Sequence, residues 1–148
     1  MKLYLAGALF NEAEIMQRLK EGKILKEKFG NNLEIFNPIE QPFNENKQSL
    51  PSPEEIFKVD TLAVNNCDIF LADITNEDSG VMVELGIAIA NNKKIIAINS
   101  DIRLKSANKY SIPSYAINHY VLGGILTKGK IVFSFEEALK EIENIFKK

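Results

Sequence analysis

A single charged residue interrupts a long apolar stretch in the second half of the sequence. Glu84 is the only charge between residues 80 and 90, where every other residue is glycine or aliphatic, alanine and methionine included. Burying an unpaired carboxylate costs several kcal/mol, so such a residue is kept only where something offsets that cost. A solvent-facing stripe or a lysine partner would be an ordinary explanation, but the neighbouring turns provide no second polar residue for a stripe. We therefore predict that Glu84 is a functional carboxylate, either a nucleophile or a group that stabilises a developing cation, kept ionised by the positive end of its helix.

Three further acids accompany Glu84 near the edge where parallel strands end. Asp73 directly follows a predicted strand, Asp78 lies in the loop before the apolar helix, and Asp60 lies in the helix that precedes the strand. Two carboxylates in one pocket, with environments that separate their pKa values, are typical of glycosyl chemistry by one nucleophile and one acid. Two of them also have a purely structural interpretation. Asp73 could cap the turn that follows it, and Asp60 could be a solvent-exposed residue of its helix.

The other chemically active residue types have weaker patterns. Tyr4 lies in the first apolar run, where an aromatic residue is usually part of the core. Gly7 ends that run, as in phosphate-binding loops, but neither Gly-x-Gly-x-x-Gly nor Gly-Lys-Ser follows, so both nucleotide fingerprints are absent. We expect Cys67 to be a small buried residue and His119 to be a surface residue, since no serine or cysteine partner completes a triad.

Composition excludes several classes of function. The 148 residues contain 18 Lys and Arg against 20 Asp and Glu, a net charge of −2 with both signs interspersed, so no basic field exists for nucleic acid. One cysteine and one histidine exclude an internal disulfide and a structural zinc site, and we expect no metal. No run approaches the roughly 20 apolar residues of a membrane span, and the first apolar run is too short for a signal peptide. We expect a cytoplasmic protein that acts on a small molecule, with no membrane partner.

Short apolar runs alternate with helical patterns along the chain. The predicted strands are 3–6, 33–36, 67–72, 94–98 and 132–133. The predicted helices are 11–29, 53–66, 80–90, 114–122 and a last one from 134 onwards. Residues 37–53 are polar and rich in proline, which predicts a long loop, and the pattern is weakest over 99–130.

This alternation predicts an α/β fold. We expect one domain over residues 1–148, with a doubly wound, mainly parallel five-stranded sheet of flavodoxin-like or Rossmann-like type, flanked by helices. Ligands of such sheets bind outside the carboxyl ends of the strands. The candidate carboxylates follow or flank those ends.

Four segments of the sequence resemble the nucleoside 2-deoxyribosyltransferase family. They occur in the family's order, and the last is the most specific: Leu3–Ala8, Asn37–Gln41, Asp60–Asp73 and Asp78–Gly86. The resemblance implies transfer of 2-deoxyribose from one nucleobase to another through a covalent glycosyl ester. The implied substrates are 2′-deoxynucleosides and free nucleobases, in nucleoside salvage, with no cofactor.

The resemblance also implies roles for individual catalytic residues. Glu84 corresponds to the nucleophile that attacks the anomeric carbon, and Tyr4 to the hydroxyl that orients it. Asp60 corresponds to the acid that protonates the leaving base and deprotonates the incoming one. The transition state of such a transfer resembles an oxocarbenium ion, and a carboxylate below the sugar ring stabilises its positive charge. The physical chemistry therefore agrees with these roles.

Four more positions are implied to bind substrate. Asp78 falls where the family binds the 5′-hydroxyl of the sugar, Gln41 where it contacts the base, and Gly7 in the first matching segment. Asn118 resembles an asparagine that reaches the pocket of a neighbouring subunit, which implies a homo-oligomer with shared active sites. Purine and pyrimidine bases both stay open.

Two alternatives compete with the transferase. The related 2′-deoxynucleoside 5′-monophosphate N-glycosidases are hydrolases that share the fold and the nucleophile, but they favour serine where this chain has Asp78. A carboxylate there would repel a phosphate dianion, and residues 8–10 offer no arginine, so we favour free nucleosides. A non-catalytic nucleotide-sensing module is the other alternative, although it would have no need of Glu84.

Overall fold

Five short parallel strands form the centre of the molecule. In the computed structural model, which describes residues 1–42, 51–103 and 117–147, the strands are β1 (Lys2–Ala6), β2 (Glu34–Phe36), β3 (Ile69–Asp73), β4 (Lys94–Ile98) and β5 (Gly129–Val132). Their order across the sheet is β2-β1-β3-β4-β5, and each neighbouring pair is parallel. The chain therefore moves outward from β1 in one direction and then from β3 in the other, which confirms the predicted doubly wound sheet.

Helices cover both faces of this sheet. They are α1 (Glu12–Phe29), α2 (Pro53–Asn66), α3 (Ser79–Ala90), α4 (His119–Lys128) and α5 (Phe135–Phe146), and single 3-10 turns span Gly30–Asn32 and Pro38–Glu40. Leu3 and Leu5 of β1 pack with α1 and α5, whereas Tyr4 and Ala6 pack on the opposite face with α2, α3 and α4. The two-residue alternation of a strand thus directs Tyr4 toward the helix that carries Glu84.

Side-chain caps explain where the helices begin. Ser52 and Glu55 form a reciprocal capping box at α2, with Pro53 at the first helical position, and Ser134 caps α5. The Asn11 side chain accepts from the Glu14 amide at the start of α1. Each such cap contributes about 1 kcal/mol to helix stability, which is why these three starts could be recognised in the sequence.

Two predicted elements in the last third of the chain were wrong in their limits. The fifth strand is Gly129–Val132 and not 132–133, because pairing with Ile95–Ile98 of β4 determines it. The expected helix over 114–122 is observed as α4, which begins at His119 and continues to Lys128; residues 114–116 lie outside the described residues. Gly129 allows the close approach of these strands, since a Cβ there would overlap the Ile95 carbonyl oxygen.

The buried side of α1 is not purely apolar. Leu19 is exposed, and the buried positions of this helix are Arg18, Glu21, Gly22 and Leu25. Within the described parts of the chain, no helix combines the length and the apolar character that crossing a membrane requires.

Candidate active site

Tyr4 and Glu84 form the centre of the candidate site. The Tyr4 ring is fully buried between the rings of Phe36 and Phe70, with centroid distances of 5.2 and 5.6 Å. Its hydroxyl donates a hydrogen bond of 2.7 Å to Glu84 Oε1. Tyr4 is therefore a core aromatic residue, as its type predicted, and at the same time places a polar atom on Glu84.

Burial dominates the electrostatics of Glu84. It raises the pKa of this carboxyl from 4.5 to about 7, and the negative charges of Asp60 and Asp78 act in the same direction. The hydrogen bond from Tyr4 favours the ionised form and lowers the pKa. Desolvation outweighs this hydrogen bond, so the net effect is a raised pKa, and the contribution of the N-terminal end of the helix stays a prediction. Near neutral pH the group is poised between its two protonation states.

Asp60 faces Glu84 across a pocket between α2 and α3. The pocket has a volume of about 420 Å³, and its walls include Phe57, Ile56 and Ile87 besides the two acids. Burial raises the pKa of Asp60 to about 6. Within the described parts of the chain, the buried Oδ1 atom of Asp60 has no hydrogen-bond partner. An unpaired buried oxygen of this kind is unfavourable unless a ligand supplies the donor.

These three side chains fit covalent glycosyl chemistry. Glu84 provides a carboxylate held by a hydroxyl, and Asp60 provides a second carboxyl group with a raised pKa in the same pocket. The pocket walls are largely aliphatic and aromatic, so a bound ring would exclude water from both groups.

Comparison with known proteins agrees with this chemistry. A profile of the family described as nucleoside 2-deoxyribosyltransferase matches residues 3–141, a range that includes Tyr4, Asp60 and Glu84. The chain belongs to the nucleoside 2-deoxyribosyltransferase family. Members of this family are enzymes that act on glycosyl bonds, as transferases or N-glycosidases, and their substrates are nucleosides and nucleobases.

Three solved structures resemble this member of the family. A conserved protein of Enterococcus faecalis is 25% identical, with a TM-score of 0.81 over 97% of this chain and 98% of the other. A 2-deoxyribosyltransferase of Bacillus psychrosaccharolyticus is 22% identical, with a TM-score of 0.66 and coverage of 93% and 90%. The CMP N-glycosidase of Clostridium botulinum is 22% identical, with a TM-score of 0.60 and coverage of 98% and 99%. At 22% identity the last two likenesses show a shared fold.

Two of the predicted binding residues lie at a separate pocket on the carboxyl edge of the sheet. Asp78 caps α3 by accepting from the Val81 amide at 2.9 Å, and with Asp73 it lines a cavity of about 190 Å³. Gly7 directly follows β1 and lies beside Arg18, since a Cβ at this glycine would lie only 2.5 Å from Arg18 Nη1. Neither Asp73 nor Asp78 lines the pocket between α2 and α3, although the charge of Asp78 acts on Glu84.

Arg18 is the residue of this region that the sequence analysis missed. Its guanidinium donates to the Ala6 carbonyl at 3.3 Å, to Glu21 Oε1 at 2.9 Å and to Asp73 Oδ2 at 3.1 Å. The buried residues of α1 are at positions 18, 21, 22 and 25, which is the spacing of one helix face. That spacing is the sequence signal that indicates a buried position for Arg18. Two of these four positions carry charged residues, so apolar residues alone do not mark this face of α1.

The remaining predicted residues lie at element ends. The Gln41 amide donates to the Asn37 carbonyl at 3.2 Å, just before residues 43–50, which lie outside the described residues. Asn118 caps α4, its side-chain oxygen accepting from the Tyr120 and Val121 amides at 2.9 and 3.4 Å. His119 is exposed, as expected.

Cys67 is buried, which confirms that expectation, and its thiol donates to the Val64 carbonyl at 3.2 Å. Burial raises the pKa of this thiol to about 11. Because a thiolate is the reactive form, Cys67 is not suited to act as a nucleophile.

Proposed function

We propose that this protein transfers 2-deoxyribose between nucleobases through a covalent ester on Glu84, as a reaction of nucleoside salvage in the cytoplasm. The observation that carries the proposal is the pairing of Tyr4 Oη with Glu84 Oε1 at 2.7 Å in a protein whose Asp60 lines the same pocket as Glu84. The family includes enzymes that act on such glycosyl bonds. No organic cofactor or metal enters the proposed reaction.

In the first half of the proposed reaction, a carboxylate oxygen of Glu84 bonds to C1′ of the sugar while the C1′–N bond to the base breaks. The bonding electron pair moves onto the base nitrogen, which takes the proton of the Asp60 carboxyl group. The Tyr4 hydroxyl orients Glu84. A deoxyribose lacks the electron-withdrawing 2′-hydroxyl, so positive charge at C1′ develops more readily than in a ribose.

The second half reverses these steps with another base. A nitrogen of the incoming base attacks C1′, the ester bond breaks, and its electron pair returns to Glu84. Asp60 takes the proton that the incoming nitrogen loses, which restores both carboxyl groups. Two displacements retain the anomeric configuration. Transfer outcompetes hydrolysis when the base excludes water from the apolar pocket.

A base-exchange assay tests this proposal. The protein is incubated with deoxyinosine and free adenine, and the mixture is separated by chromatography. We expect deoxyadenosine and hypoxanthine in equal amounts with the wild-type protein, and neither product with Glu84→Ala. Base exchange by Glu84→Ala at the wild-type rate would contradict the proposed mechanism. If the wild-type protein converts neither nucleosides nor nucleoside monophosphates, the result would favour the non-catalytic sensing module.

A monophosphate N-glycosidase is the second candidate, favoured by the structural likeness to a CMP N-glycosidase. Its signature in the same assay is release of free base from deoxynucleoside 5′-monophosphates, without transfer to adenine. We favour nucleosides because Asp78 and Asp73 place two carboxylates on one cavity at the carboxyl edge of the sheet. Unchanged discrimination between deoxyadenosine and its monophosphate in Asp78→Ser would count against that reasoning.

We also propose that the protein is a homo-oligomer with shared active sites. The resemblance of Asn118 to a residue that reaches a neighbouring pocket supports this, as does the exposed apolar surface on the helix that it begins. Tyr120 and Leu126 of α4 are 92% and 59% exposed, beside an apolar groove of about 550 Å³ between α3 and α4. Such surface is typical of protein interfaces.

Sedimentation tests the oligomer. We expect the wild-type protein to sediment as an oligomer and Tyr120→Asp to sediment as a monomer with reduced base exchange. A wild-type monomer with full exchange activity would contradict the proposal.

A further inference from the structure

A buried arginine lies at the carboxyl edge of the sheet, next to the cavity that contains Asp78. The Arg18 side chain is only 4% exposed, and two carboxylates bind it, those of Glu21 and Asp73. The Glu21 side chain is 2% exposed, whereas that of Asp73 is 28% exposed and lines the cavity with Arg18. A single positive charge therefore has two negative partners, one inside the protein and one at the cavity wall.

Among the described residues that line the cavity, none offers an uncompensated positive charge to an anion. Glu14, Asp73 and Asp78 contribute three carboxylates to its walls, and Arg18 contributes the only positive charge among the described residues that line it. Both contacts of Arg18 Nη2 are to carboxylate oxygens, at 2.9 and 3.1 Å, and Nη1 bonds a backbone carbonyl. A phosphate dianion that entered would meet three negative charges and an arginine whose charge is already compensated.

The proposed reaction relates this cavity to one end of the substrate. With C1′ at Glu84 and the base beside Asp60, the C4′ and C5′ atoms of the sugar lie on the side of C1′ opposite the base. Asp78, whose charge acts on Glu84, lines the cavity, so the cavity lies beside the proposed reacting centre. The 5′ carbon of a deoxynucleoside would lie nearest to this cavity.

We propose that Asp73, by binding Arg18, determines that the enzyme accepts an uncharged 5′-hydroxyl and rejects a 5′-phosphate. The inference rests on the proposed function and specifies its substrate class. Without the Asp73 charge, Arg18 keeps its buried partner Glu21 and turns one N–H toward the cavity. Arginine binds phosphate well when its N–H groups are available. Arg18 could thus bind phosphate, but the Asp73 carboxylate occupies the N–H group that would do so.

Charge removal at Asp73 tests this inference in two variants. Asp73→Asn changes the charge with little change in shape, and Asp73→Ser retains an acceptor for the Thr75 amide, which Asp73 Oδ1 binds at 3.0 Å. Asp68→Asn is the matched control, because Asp68 precedes the same strand at its opposite end, where it accepts from the Lys2 amide. Thermal melting identifies the variants that fold.

Two measurements are made on each folded protein: the affinity for inorganic phosphate by calorimetry, and the ratio of kcat/KM for deoxyadenosine 5′-monophosphate over deoxyadenosine. We expect both to rise at least tenfold in the Asp73 variants and to stay unchanged in Asp68→Asn. No gain in phosphate affinity in either Asp73 variant would overturn the inference. If the wild-type protein catalyses no base exchange, the proposed function fails, and the phosphate titration alone still decides the role of Asp73.

Discussion

Replacing Glu84 with glutamine is expected to stabilise the protein at alkaline pH. Burial raises the pKa of the Glu84 carboxyl from 4.5 to about 7, so the folded protein binds this proton more tightly than the unfolded chain does. The stabilising contribution is fully present below pH 4.5 and is lost as the pH rises through 7. At pH 8 the carboxylate therefore destabilises the folded state, and glutamine removes that penalty while its side-chain oxygen still accepts from Tyr4.

The size of the effect follows from the difference in pKa. One pKa unit corresponds to about 1.4 kcal/mol, so the difference of about 2.5 units between 4.5 and 7 is equivalent to about 3 kcal/mol in the free energy of unfolding at pH 8. Urea denaturation at pH 4 and pH 8 measures it, through the change in midpoint at constant slope. We expect Glu84→Gln to exceed the wild type by that amount at pH 8 and to match it at pH 4.

Glu143→Gln is a control of opposite sign. Lys28 Nζ lies 2.7 Å from Glu143 Oε1 and lowers the pKa of that exposed carboxyl group, so its replacement is expected to bring no gain at pH 8. An equal stability difference between Glu84→Gln and the wild type at both pH values would refute the reasoning, since it would show that the buried charge carries no penalty.

Three further predictions concern the reaction. Tyr4→Phe removes a charge-assisted hydrogen bond equivalent to about 1.5 to 3 kcal/mol. The pKa of Glu84 rises as a result, and kcat/KM for base exchange at pH 6.5 is expected to fall about 10- to 100-fold, whereas the exposed Tyr120→Phe should leave it unchanged. The pH profile of kcat/KM in the wild type is expected to be bell-shaped with limbs near 6 and 7, because the reactive form, with Glu84 ionised and Asp60 protonated, is the less populated of the two forms in which the pair holds one proton; a flat profile from pH 5 to 8 would contradict this. Asp60→Asn is expected to slow base exchange about 100-fold or more. Formation of the glycosyl ester from deoxyribosyl fluoride should be unaffected, because fluoride leaves without a proton. An equal loss of rate with both donors would rule out an acid role for Asp60.

The sequence predicted the parts of the fold that local patterns determine. The first strand and the fourth are apolar runs with clear ends, and α2 begins at a serine, a proline and two glutamates, a start that needs no tertiary contact. The fifth strand was predicted with the wrong limits because it begins Gly129-Lys130, which is not an apolar run, and is held by its pairing with β4. Pairing between residues that are 34 positions apart, such as Ile95 and Gly129, has no local signature in the sequence.

In the candidate site, too, the residue with a local sequence signal was predicted, and the contacts between distant residues were not. Glu84 was found because its charge contradicts its apolar neighbours, which is a local anomaly. The hydroxyl of Tyr4 could not be placed from its strand, since its partner lies 80 residues away and the residue type suits the core equally well. Arg18 was missed for a related reason: its partners are Glu21 on its own helix and Asp73 on a distant strand end, and only the fold brings Asp73 there.

The central claim is that Glu84 forms a bond to the sugar, and intact-mass spectrometry tests it most directly. The protein is mixed with deoxyinosine in the absence of any acceptor base and quenched in acid within the first turnover. We predict a population of wild-type protein heavier by one deoxyribosyl group, with the added mass located on the peptide that contains Glu84, and no such population in Glu84→Gln. Release of hypoxanthine by the wild-type protein with no adduct at any quench time, or an adduct on a peptide without Glu84, would contradict the account.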